Sequence, residues 1–305
     1  MNDAPAIEIV SFRPGTPRAY RVAGTRVVTD FAMPAYRTYE LQAPAPWSAE
    51  WDAPAADGGE RAYDGWGLIA DRQRRVVCHV SASGFRLAVE GMATYWISPD
   101  GGRIAEVEVD SQAAPDTRAV AALGAPLILA LARRGTFCIH ASAATFDDKL
   151  VAFIGESGAG KSTLARFLDA EGGARWRRII DDTLPLAPIG ADIAQALPHF
   201  PQLKMPDALQ PSRLVPERMP LRAIYVLGSG SEVKATAIRP GVATLALAGN
   251  TVAGRIFSRS LLGRHLNYCA DLATWLSVRH LSYPRELDRL PAVRDALAAD
   301  LMGQS

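Results

Sequence analysis

Short apolar runs broken by turn residues fill roughly the first 115 positions, and a longer apolar period takes over after them. The early runs are EIVSF (8–12), TRVVTDF (25–31), RRVVCHV (74–80), FRLAVEGMATYWIS (85–98) and RIAEVEVD (103–110). They are rich in β-branched and aromatic residues and are separated by signals such as PDGG at 99–102, so they predict strands. Residues 41–66, with Trp47, Trp51, Trp66 and several Pro and Gly, predict a long ordered loop or a short irregular subdomain.

At about Thr117 the period lengthens. RAVAALGAPLILALARR (118–134) has helical spacing, Arg at its end and Gly135 as a stop. This change predicts two domains, a β-rich one over 1–116 and a second over 117–305. In the second, FCIHASAAT (137–145) and LVAFI (150–154) predict strands, followed by a glycine-rich loop, an amphipathic helix STLARFLDAEGG and a strand RRII with two carboxylates at its end. AIYVLG (223–228), KATAIRP (234–240) and VRHLSYP (278–284) predict further strands. Helices are predicted over GVATLALAGNTVAGRIFSRSLLG, RHLNYCADLATWLS and ELDRLPAVRDALAADL, with Pro291 kinking the last or starting a new one. The fold class that follows is α/β with a β-rich front.

Composition narrows the function only by exclusion. Hydrophobic residues at 49% and charged residues at 21% describe an ordinary folded chain, and a formal net charge of +1 offers no bulk attraction for nucleic acid or membrane. Cys78, Cys138 and Cys269 are far apart, which predicts thiols in a reducing cytoplasm rather than a disulfide framework or a metal knuckle. The opening MNDAPAIEIVSF lacks the pattern of a signal peptide. The most apolar stretch, Ala125 to Ala132, is too short to span a bilayer. A cytoplasmic protein is expected.

Candidate chemistry sits just past the midpoint. GESGAGKST comprises Gly155, Glu156, Ser157, Gly158, Ala159, Gly160, Lys161, Ser162 and Thr163, and it matches G-x-x-x-x-G-K-[ST] between a predicted strand and a predicted helix. Glycines let the backbone turn its N–H groups inward on phosphate oxygens, and the helix N-terminus adds partial positive charge. Lys161 is expected to reach the β- and γ-phosphates, and the Ser162 hydroxyl to take a place on Mg²⁺, so the expected cofactors are ATP and Mg²⁺. Asp181 and Asp182 end a neighbouring strand, where a P-loop protein holds a metal or positions a nucleophile. His140 lies on the strand preceding the loop strand. His79, His199, His265 and His280 lack metal-ligand spacing, and Arg239, Arg255, Arg259 and Arg264 read as solvated helix faces. Trp96 and Trp275 are expected in the core or at a domain interface.

The run IHASAATFDDKLVAFIGESGAGKSTLARFLDAEGGARWRRIIDD resembles the core of the bacterial HPr kinase/phosphorylase family: a His, then strand, P-loop and helix, then a strand ending in Asp-Asp. The resemblance spans roughly residues 135–285. It implies a P-loop core of the HPr kinase/PEP-carboxykinase type, with Lys161 and the loop amides as phosphate cradle and Ser162 as a Mg²⁺ ligand. It further implies Asp181 as the base on a substrate serine, Asp182 near the metal, and His140 as a catalytic or positioning group. The chain departs from the family where Ala141 replaces a Gly and Thr183 an Arg, and it lacks a counterpart to the EIRG-type signature tied to dephosphorylation. In that place stands HFPQLKMPDAL (199–209), with Lys204 as an additional phosphate or substrate contact. These departures, with the β-rich front half and LARRG, resemble the lasso-peptide precursor kinases of ribosomal-peptide biosynthesis. The resemblance therefore implies a peptide or small-protein acceptor phosphorylated on serine, and a homo-oligomer, since HPr kinases assemble into hexamers. A small-molecule kinase of the same fold and a nucleotide-driven switch stay open beside it. An ABC-type ATPase does not fit, because neither an LSGGQ-like signature nor an apolar strand ending in Asp-Glu is present.

Overall fold

The computed structural model describes residues 6–11, 16–32, 40–41, 58–69, 72–189, 194–200, 202 and 215–303. The chain forms two compact units, Met1–Thr136 with Ala253–Leu262, and Phe137–Val252 with Gly263–Ser305.

The first unit is built on a nine-stranded sheet. Its strands are β1 (Ile7–Val10), β2 (Arg18–Val22), β3 (Thr25–Thr29), β4 (Glu40–Leu41), β5 (Glu60–Ile69), β6 (Arg72–Ser81), β7 (Gly84–Val89), β8 (Ala93–Ile97) and β9 (Arg103–Val109). They run in the order β4-β2-β3-β1-β9-β8-β7-β6-β5. β1 lies parallel to both its neighbours, whereas β5 to β9 form an antiparallel meander. The run 85–98, read as one strand, is a hairpin instead: Gly91 takes a φ of +66° and the Met92 N–H returns to the Val89 carbonyl. β5, ten residues long, falls partly in the stretch read as a loop; residues 42–57, with Trp47 and Trp51, lie outside the described residues.

The predicted helix over 118–134 is two helices, α1 (Pro115–Ala122) and α2 (Ala125–Arg133), broken at Leu123 and Gly124. Every α2 residue from Pro126 to Ala132 is buried, as expected of a helix that is apolar on all sides. Among the described residues 115–133 is the one helical stretch apolar enough to cross a membrane, and it is both broken and 56% buried inside the protein. α2 packs on β8 and β9, so both helices group with the front sheet and the first unit runs on to Thr136, past the boundary expected at residue 116. The approach is close at Gly101, where a Cβ would stand 2.3 Å from the Ala130 carbonyl oxygen.

The second unit contains β10 (Phe137–His140), β11 (Ser142–Phe146), β12 (Lys149–Ile154), β13 (Trp176–Ile180), β14 (Thr183–Leu186), β15 (Gln195–Ala196), β16 (Met219–Ser229), β17 (Lys234–Ala237) and β18 (Ser277–Tyr283). Parallel strands β12, β16 and β18 form the centre, with β11 and then β13 antiparallel on one side and β17 on the other. β15, β14 and β10 extend from the start of β16. Helices α3 (Lys161–Glu171), α4 (Pro240–Gly249), α5 (Arg259–Trp275) and α6 (Leu290–Met302) complete the set, and the first residues of α5 belong to the first unit. Pro291 starts α6 rather than kinking it.

Alternation along the central strands explains the layering. In β12, Leu150, Ala152 and Ile154 join a core with Leu247 of α4 and Leu272 of α5. Val151 and Phe153 point the other way, to Leu164 and Leu168 of α3 and Val293 and Leu297 of α6. Each face of the sheet is therefore covered by two helices, which buries the apolar side chains of both faces. At ~25 cal/mol per Å² of apolar surface, burying a leucine or phenylalanine here is worth about 2 kcal/mol.

Candidate functional site

β12 delivers the chain into the glycine-rich loop at Gly155, whose φ is +142°. A Cβ there would lie 3.2 Å from the Leu227 carbonyl oxygen and 3.4 Å from Ala159 Cβ, so both backbone angle and space call for glycine. Gly160, at φ +91°, is the N-cap of α3, and no side chain caps the first amides of that helix. The loop thus ends on a helix capped by a glycine, which has no side chain of its own to lay on the foremost N–H groups, a start that suits an anion. Lys161 is buried, with Nζ donating to the carbonyls of Gly155 at 2.8 Å and Glu156 at 3.0 Å. Its ammonium is folded back onto the carbonyls that open its own loop.

Beside the loop runs a chain of oxygens. Ser142 Oγ, on β11, donates to Asp181 Oδ1 at 3.0 Å and lies 3.5 Å from Ser162 Oγ. The Asp181 side chain is fully buried, and its Oδ2 also accepts from Arg178 at 3.2 Å and Arg166 at 3.4 Å. Arg178 is nearly buried too, whereas Arg166 is exposed. Asp182 is placed differently. Its carboxylate stands 3.7 Å from His140 Nδ1, and both side chains reach solvent, at 18% and 38% exposure. The two adjacent carboxylates therefore face different partners, one sealed under two guanidiniums and the other open beside an imidazole.

The turn that separates them is held from outside. Gln202 Oε1 accepts the N–H groups of Asp181, Asp182 and Thr183 at 3.0–3.3 Å, while its Nε2 donates to the carbonyls of Thr183 and Phe200. Gln202 is completely buried, and its amide fixes the Asp-Asp turn through the backbone. His140 is set by its backbone, pairing with Thr183 across β10 and β14 and donating its N–H to the Asn250 carbonyl. From the end of β18, Arg285 donates to the Gly158 carbonyl at 3.3 Å.

No family model matches the chain, and no curated protein matches it. Among solved structures it is similar to the HPr(Ser) kinase/phosphatase from Coxiella burnetii. That match is 11% identical, with a TM-score of 0.32, and covers 55% of this chain and 92% of that one. A superposition so loose places no residue of the site.

All the residues singled out around the loop lie in the second unit, and Lys161, Ser162, Asp181, Asp182 and His140 gather at the ends of β10, β12 and β13. Lys204 lies outside the described residues. Among the described residues no three His, Cys, Asp or Glu side chains converge as a metal cage. The half-buried Ser162 hydroxyl fits Mg²⁺ all the same, since that ion takes few protein oxygens when phosphates supply others. Both oxygens of buried Asp181, by contrast, already accept from Ser142, Arg178 and Arg166. Reading the sequence missed Ser142, Asn250 and Gln202. Arg166 carried a usable signal: four residues after Ser162 on a helix, it must share that residue's face. Trp275, expected to be packed, is exposed, whereas Trp96 is buried with its indole N–H on the Ser83 carbonyl.

Proposed function

We propose that this protein is a Mg²⁺- and ATP-dependent phosphotransferase that moves the γ-phosphate to a hydroxyl, with a serine of a peptide as the acceptor. The single observation that carries the reading is the loop itself: glycines at both bends, one of them the N-cap of the helix that follows, and a lysine folded back onto the loop's own carbonyls. The loop amides and Lys161 would hold the phosphates, with the lysine charge drawn to the oxygens of the transferring group. Mg²⁺, when bound, would neutralise phosphate charge, with the Ser162 hydroxyl available to it and the buried Asp181 charge behind that hydroxyl through Ser142.

Access divides the carboxylates. Asp181 has no exposed side-chain surface and accepts three donors, which suits a fixed charge. The pair His140–Asp182 reaches solvent, so we assign it to the acceptor: one member takes the hydroxyl proton as the oxygen attacks, and the other stabilises the charge that results. These parts exchange those that the family resemblance implies for the two aspartates.

The choice of a peptide acceptor, and of a lasso-peptide precursor in particular, rests on the sequence resemblance alone. Mass spectrometry of a serine-containing precursor peptide incubated with protein, Mg²⁺ and ATP tests it, with Lys161→Ala as control. A gain of one phosphate, absent in the control, is expected. Phosphorylation of free serine in place of every peptide would turn the reading to a small-molecule kinase.

A further inference from the structure

Asn250 follows α4 and joins two parts of the site that are far apart in sequence. Its Oδ1 accepts the Gly155 N–H at 3.1 Å and its Nδ2 donates to the Ala246 carbonyl at 2.8 Å. Its own carbonyl accepts the His140 N–H at 2.7 Å. Asparagine after a helix is often there for its tolerance of left-handed backbone, but Asn250 has φ −99° and ψ 10°, which any residue adopts. The side chain, not the backbone, is what the position uses.

Gly155 shows why. Its carbonyl is held by Lys161 and its N–H by Asn250, so both polar groups of the residue that opens the loop have fixed partners. The position needs one group that accepts toward Gly155 and donates toward Ala246, and a carboxamide does both. We propose that Asn250 is a positioning residue for the phosphate loop. It sets the loop's entry and ties it to the strand end that carries His140, so the phosphate-holding and acceptor-facing groups keep their spacing. The inference rests on the nucleotide-binding reading above.

The test is the affinity for Mg-ADP, by titration calorimetry, of the wild type, Asn250→Ala, Asn250→Asp and Thr251→Val, beside the melting temperature of each without nucleotide. Thr251 turns its hydroxyl to the Leu247 carbonyl and to His265, so its loss reports on packing next door. Asn250→Ala is expected to weaken Mg-ADP about tenfold, the scale of one lost hydrogen bond. Thr251→Val lowers the melting temperature and leaves affinity within about twofold, since it loses a bond outside the loop. Asn250→Asp keeps an acceptor for Gly155 but adds negative charge, so its deficit shrinks as salt is raised, whereas that of Asn250→Ala persists. Wild-type affinity in Asn250→Ala, or equal losses in Asn250→Ala and Thr251→Val, overturns the inference and leaves the nucleotide reading standing. A wild type that does not bind Mg-ADP overturns both.

Discussion

Adjacent aspartates with opposite surroundings make separable predictions. Asp182→Asn removes the solvent-facing carboxylate beside His140, so turnover should fall by roughly 10²–10⁴-fold with nucleotide affinity little changed. Asp181→Asn leaves Arg178 and Arg166 around a neutral amide in a buried position. It should cost on the order of 3 kcal/mol of stability, read from denaturant melts. If instead Asp181→Asn folds normally and loses only turnover, the parts we assign to the two residues are reversed. His265 adds a pH dependence. Burial holds its imidazole below the usual histidine range, so the unfolded chain binds the proton more readily than the folded one. Its contribution is therefore full above about pH 6.5 and is lost as pH falls below that value, a loss that His265→Gln should lessen in melts from pH 8 to 5. The loop residues were legible in the sequence because glycine, lysine and serine at fixed spacing have few other uses. Ser142, Gln202 and Asn250 were not, because each acts on a partner distant in the chain; Asn250 and Gly155 are 95 positions apart.

Turn chemistry and close approach decide where elements begin and end. Gly101 illustrates the second: its φ is +71° and a side chain would strike the Ala130 carbonyl of α2. Gly101→Ala should destabilise the first unit by about 2 kcal/mol or more, from left-handed strain plus displacement of the helix, seen as a lower melting temperature. An unchanged melting temperature would mean that α2 does not seat on this turn. Long apolar strands and the α3 and α6 periods were readable from pattern, since alternation or a 3–4 spacing marks each buried face. The 85–98 hairpin and the split at Gly124 were misread because one glycine inside an apolar run leaves the period intact on both sides. β14 and β15 were missed because a four-residue TLPL and a two-residue pair are too short to show a period.

At the scale of the molecule, a β-sheet unit and a three-layer α/β unit share one chain, and the candidate chemistry lies in the second. The sequence change near residue 117 pointed to two units but not to the helices' allegiance, since α1 and α2 carry a helical period while packing on the front sheet. The loop's claim to a nucleotide is the point on which the functional account stands. Calorimetric titration of the whole protein with ATP, with and without Mg²⁺ and with Lys161→Ala alongside, tests it most directly. Saturable binding that Mg²⁺ strengthens and that Lys161→Ala abolishes is the result we predict. Equal binding by the wild type and Lys161→Ala, or none by either, would contradict it.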